Sequence, residues 1–165
     1  MNWANVSDES VRELHRQGEA CLDGTIKLAL AADQRATTLC GVLGAGAVAL
    51  MAAAATVLAG AHVNVALVSS ALVCALLLLI ASLFCALACR PGNFHVGGYE
   101  PRSLIVSGSD HMWMLRYAID DLQSRITANR GALDASANLL NLGMCTAGLA
   151  VITGAVVFVC FAIAL

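Results

Sequence analysis

The chain has 165 residues, 59% of them hydrophobic and only 12% charged, with a net charge of −2 and a mean hydropathy of +0.80. That balance excludes an ordinary water-soluble domain. All nine basic and eleven acidic residues fall within 1–35 and 90–134, so that 36–89 and 135–165 carry no charge at all.

A helix needs about 20 apolar residues to cross a bilayer, where no water can satisfy an open backbone. The first uncharged block is long enough for two such helices and the second for one. Both are continuous runs rich in Ala and Leu, not the short alternating segments of a barrel. The expected fold class is an all-α membrane protein. It has three transmembrane helices with cytoplasmic helical extensions, assembled as a homo-oligomeric bundle.

In chain order, residues 1–35 read as a cytoplasmic amphipathic helix that continues into the first span. Ser7 is placed to cap it, with Asp8 and Glu9 in the first turn where the helix dipole favours acids. Its apolar stripe of Val11, Leu14, Cys21 and Leu28 is modest and calls for a partner helix. The segment is too polar for a signal peptide, so the first span is expected to be retained. Residues 36–89 form a two-span hairpin with its turn at Gly60-Ala61-His62-Val63-Asn64. Residues 90–108 hold both prolines and four of the fourteen glycines, the composition of an irregular connector. Residues 109–137 read as a second cytoplasmic helix, in which Leu115, Ile119, Leu122, Ile126, Asn129 and Leu133 make a heptad seam with one polar position that can set register. It runs into the third span, 138–165, which ends in or at the edge of the bilayer. The turn near residue 62 lacks Lys and Arg while the flanking segments hold all nine, which places the N-terminus and 90–137 in the cytoplasm and the C-terminus in the periplasm.

Within the spans, Gly41, Ala45, Ala49 and Ala53 line up on the first helix, as do Gly143/Ala147 and Ala150/Gly154 on the third. Such columns let helix backbones approach closely in lipid. The Leu-rich second span is better suited to face lipid, so helices one and three are expected to be inner and helix two outer. The seven cysteines lie mostly in apolar surroundings and read as packing residues. Cys85 and Cys89 share a helix face but lack the His or carboxylate partners of a metal site.

The polar residues divide into three groups. Thr37, Thr38, Asn138, Asn141 and Cys145 either bond across helices or line a water-filled path, and three helices enclose no lumen unless several chains assemble. Asp33, Arg35, Asn129, Arg130 and Asp134 precede the first and third spans and form either a solvated boundary or the mouth and gate of a pore. Arg12, Arg16, Lys27, Arg116, Arg125 and Arg130 are candidates for binding a phosphate-bearing ligand, although acidic residues are as numerous nearby. No enzyme signature appears: there is no phosphate loop, no spaced set of metal ligands, and His15, His62, His95 and His111 are scattered. Neither a catalytic residue nor a cofactor is implied.

The run ADQRATTLCGVLGAG carries a polar helix with Asp33 and Arg35 into a Gly/Ala-rich span, and a hairpin and a second cytoplasmic helix follow. In this the chain resembles small multi-pass bacterial anti-phage membrane effectors, such as the Pycsar transmembrane effectors and the channel subunit of the Hailong system. The resemblance implies an inner-membrane homo-oligomer, such as a tetramer, held closed until infection changes a nucleotide or oligonucleotide signal made by a neighbouring nucleotidyltransferase or cyclase. It implies an ion-channel-like or membrane-permeabilising effector of abortive infection. The alternatives are a non-conducting scaffold in the membrane and a holin-like pore, although a holin usually ends in a basic tail and this sequence ends at Leu165.

Overall fold

The computed structural model describes residues 3, 6–60, 63–90, 94–95 and 111–164. Most of the 90–108 connector lies outside the described residues, as do Ala61 and His62 of the expected turn. The described residues form three helices, α1 (Asp8–Leu58), α2 (Val65–Ala88) and α3 (His111–Ala164), with no strand among them. None of these three helices contains a proline, and each holds a stretch long and apolar enough to cross a membrane.

The ends follow local chemistry. Ser7 Oγ accepts the Ser10 amide at 3.3 Å, and Asp8 and Glu9 occupy the first turn of α1, where unsatisfied N–H groups favour acids. At the other end Ala59 N–H and Gly60 N–H still bond to the carbonyls of Ala55 and Val57. α2 starts at Asn64, whose side-chain oxygen accepts the Leu67 amide at 3.1 Å.

The chain forms two compact units. The first contains residues 1–31 and 91–134, and so includes the N-terminal parts of α1 and α3. Its core is Leu22, Leu122 and Ile126, with Cys21 and Ile26 against them. Buried positions on α3 run Ile119, Leu122, Ile126 and Asn129, and on α1 Leu22, Thr25 and Ala29. The three-and-four spacing is that of knobs-into-holes packing. At Gly18 the helices come close: a Cβ there would lie 3.2 Å from Leu122 Cδ1.

The second unit contains residues 32–90 and 135–165. Here α2, expected outermost, is the helix on which the other two pack. The most apolar stretch of α2 is 22% buried, against 11% for α1 and 6% for α3. From α1, Gly44 faces Ser82 and Gly46 faces Leu78; from α3, Gly143 faces Cys85 and Ala81, and Gly154 faces Cys74. The reason is a division of faces. The buried residues of α2 are mostly small, Ala66, Ala75, Ala81, Cys85 and Ala88 among them, whereas Leu72, Leu76, Leu79, Leu83 and Leu87 are exposed. Small surfaces meet neighbouring backbones, and the leucines are left on the outer face.

Candidate functional site

The pore-lining candidates all lie in the second unit. The hydroxyls on α1 are satisfied by their own helix: Thr37 donates to Asp33 O and Thr38 to Gln34 O, both at 2.8 Å. Thr37 Oγ1 also lies 3.5 Å from Cys89 Sγ, and one turn on Ser82 Oγ donates to Cys40 O at 3.0 Å and contacts its sulfur at 3.4 Å. A hydroxyl–thiol ladder therefore joins α1 to α2. Sequence reasoning missed it, because a Ser or Cys in an apolar run reads as filler until its neighbour is known.

Asn138, Asn141 and Cys145 are different. All three are exposed on α3, and neither amide has a hydrogen-bond partner among the described residues. With the exposed Gly148 they follow a three-four-three spacing on one face, while Gly143, Ala150 and Gly154 are buried on another. Gly148 meets nothing: a Cβ built there would have no atom within 4 Å. On α3 a small-residue seam is thus used within the chain, and a polar-to-small stripe is left uncovered.

The boundary residues divide between the units. Asp33 is half-buried and Arg35 exposed in the second, and among the described residues neither makes an ion pair. In the first unit Asp134 is exposed, and Arg130 Nη2 approaches Cys21 Sγ at 3.9 Å. Asn129 is wholly buried and spans a backbone residue with its amide. Nδ2 donates to His95 O at 3.0 Å, and Oδ1 accepts His95 N–H at 2.9 Å. Its polar place in the heptad was legible from sequence, but its partner was not, since a backbone group has no sequence signature.

Most of the six basic ligand candidates are held by acids. Arg16 makes two bonds to Glu13, at 2.9 and 2.7 Å, Lys27 pairs with Asp23 at 2.6 Å, and Arg125 with Asp121 at 2.7 Å. Arg116 reaches Asp8 across the two helices at 3.7 Å. Arg12 is exposed and lines a surface hollow shared with Glu9, Ser10, Glu13, Arg16 and Gln17, in which carboxylates match guanidiniums in number. The Arg16 guanidinium, helped by the Gln17 amide, holds the Glu13 carboxyl down at about 2. The same pairing raises Arg16, and Asp23 raises Lys27. Charges neutralised this way contribute little net field for an anion. Sequence also missed the Trp3 indole N–H, 3.4 Å from Asp120, and the stacked, half-exposed pair Trp113 and Tyr117, with ring centroids 5.8 Å apart.

All seven cysteines are free thiols, and among the described residues no group of three His, Cys, Asp or Glu is placed to hold a metal ion. What the arrangement offers chemically is therefore hydrogen-bonding capacity on the surface of an apolar helix. In comparisons with protein families, curated proteins and solved structures, neither the sequence nor the fold finds a match.

Proposed function

We propose that this chain is the subunit of a homo-oligomeric, ion-channel-like or membrane-permeabilising effector of a bacterial anti-phage system. It resides in the inner membrane with its charged segments cytoplasmic, and a nucleotide-derived signal acting on those segments gates it. One observation carries the oligomeric pore: the uncovered amides Asn138 and Asn141 on α3. They lie about 6 and 10 Å of helix beyond Asp134, the last charge before the span. An amide left against acyl chains costs about 4–8 kcal/mol on a hydrocarbon scale, more than any single packing contact returns. Water in a lumen, or a neighbouring subunit, removes that cost. The gating signal rests on the resemblance alone, and the exposed Arg12 and Arg130 are the residues left to receive it.

The test is ion and dye flux from liposomes containing the purified protein, with wild type compared with Asn141→Leu and Arg130→Glu, with and without candidate nucleotides. Flux that falls in Asn141→Leu supports a pore lined by α3, and a nucleotide response lost in Arg130→Glu supports a cytoplasmic sensor. A stable oligomer without flux under any condition refutes the channel. It leaves the non-conducting scaffold, a reading favoured by the ion-paired state of Arg16, Lys27, Arg116 and Arg125.

A further inference from the structure

Within α1 the features that soften a helix are gathered in one stretch. Thr37 Oγ1 donates to Asp33 O and Thr38 Oγ1 to Gln34 O, both at 2.8 Å, and hydroxyl bonds of this kind to the carbonyl four residues back weaken and bend helices. Cys89 Sγ also lies 3.9 Å from Asp33 O. Further along, Ser82 Oγ donates to Cys40 O at 3.0 Å, the carbonyl that the Gly44 amide holds in an α-helix. In the rest of the helix, 47–58, the one side chain that bonds a carbonyl is Thr56, at Ala53 O.

Three glycines fall in the same stretch, at 41, 44 and 46. Gly44 and Gly46 are accounted for by their close approach to Ser82 and Leu78, but Gly41 meets no atom within 4 Å of where a Cβ would stand. Glycine is among the poorest residues in a helix interior, and packing gives Gly41 nothing in return. What it does supply is a backbone that bends readily.

Bending a helix in hydrocarbon parts an amide from its carbonyl, and the structure tolerates this only where another group takes over the freed bond. In α1 the substitute donors already stand at Asp33 O, Gln34 O and Cys40 O. Ser82 Oγ is placed on both sides of one helical bond: it donates to Cys40 O and lies 3.5 Å from where a Gly44 Cβ would stand. A hydroxyl both donates and accepts, so this one can satisfy the carbonyl and the amide when they separate.

We infer that residues 37–46 of α1 form a conformational joint, in which the helix bends about Gly41 by insertion of the Ser82 hydroxyl between Cys40 O and the Gly44 N–H. The joint begins shortly after α1 passes from the first unit to the second, at residues 31 and 32. It gives a 51-residue helix one place at which to take up a movement of its charged part. The inference goes beyond the channel reading and applies equally to a protein that does not conduct.

Amide hydrogen exchange of the full chain in lipid nanodiscs, read by NMR, tests it. The Gly44 amide is expected to exchange faster than that of Ala53 in the same helix, which serves as the internal reference for any general loss of stability. Ser82→Ala removes the inserting group and is expected to slow the Gly44 amide about fivefold relative to Ala53, the equilibrium worth of one hydrogen bond. Gly41→Ala, which enters open space, is expected to slow it by a similar factor, about fivefold, through helix propensity alone. A bond that only ties α1 to α2 predicts the reverse sign, so a Gly44 amide that speeds up in Ser82→Ala overturns the inference. So does a Gly44 amide that is as slow as Ala53 in the unaltered chain, or one that neither variant changes.

Discussion

Gly143 is the position where the packing of the membrane unit can be measured most directly. A methyl group there would stand 2.9 Å from Cys85 Sγ and 3.1 Å from Ala81 O, and the second of these is backbone that cannot swing aside. Overpacking a filled interior costs about 1–3 kcal/mol, while replacing a helical glycine by alanine returns about 1 kcal/mol. Gly143→Ala should therefore lose about 0–2 kcal/mol net, whereas Gly148→Ala, with open space around it, should gain up to about 1 kcal/mol. The separation between the two variants, about 1–3 kcal/mol, is the packing cost itself. Reversible SDS titration in micelles, followed by circular dichroism and run at protein dilutions that keep the chain monomeric, reads both. Cys85→Ala removes the nearer obstacle, so the double variant should recover about 0.5–2 kcal/mol relative to the sum of the singles. Equal stabilities for Gly143→Ala and Gly148→Ala, or an additive double variant, would refute a tight α2–α3 crossing at this point.

Three further outcomes follow from the charged unit. Leu22→Ala, which hollows a fully buried position in a small two-helix core, should lower stability by about 2–3 kcal/mol in the same titration. Asn129→Leu leaves both backbone groups of His95 without their amide, so it should cost about 1–3 kcal/mol and speed hydrogen exchange at the His95 amide; unchanged exchange would mean the bond is not formed. The Glu13 carboxyl should titrate near 2 by NMR, well below an ordinary glutamate. Because its pairing depresses the folded value, the stability it adds is complete above the unfolded pKa, about 4.3, and is lost as pH falls through the folded value. Arg16→Met should move the midpoint back up towards that ordinary value.

The sequence discloses the large-scale plan because charge is a coarse, additive signal. Two blocks without a charge predict three apolar helices, and three helices long and apolar enough to span are present. The heptad from Leu115 to Leu133 likewise anticipates the buried positions Ile119, Leu122, Ile126 and Asn129. The place of α2 was not legible. Its composition averages to leucine-rich, while its packing depends on which face each Ala, Ser and Cys occupies, and that phase is set by the neighbours. The same holds for the candidate site. Sequence can name Asn138 and Asn141 as polar residues in an apolar helix, but only the fold separates them from Gly143 and Gly154, which face the interior. Nor can sequence distinguish an available cation from one engaged three or four residues away, as Arg16 and Lys27 are.

The leucine ridge on α2 also ties the protein to the thickness of its bilayer. At 24 residues the helix is about 36 Å long, some 6 Å more than a typical hydrocarbon core of about 30 Å. A lone helix relieves such a mismatch by leaning over, but α2 is gripped through Gly44 and Gly46 on one side and Gly143 and Gly154 on the other, so α1 and α3 must lean with it. Longer acyl chains would bring all three helices upright together and shorter ones would tilt them further together. In the oligomer proposed above, lipid length would thus act on the spacing of Asn138 and Asn141 between subunits without touching a polar residue.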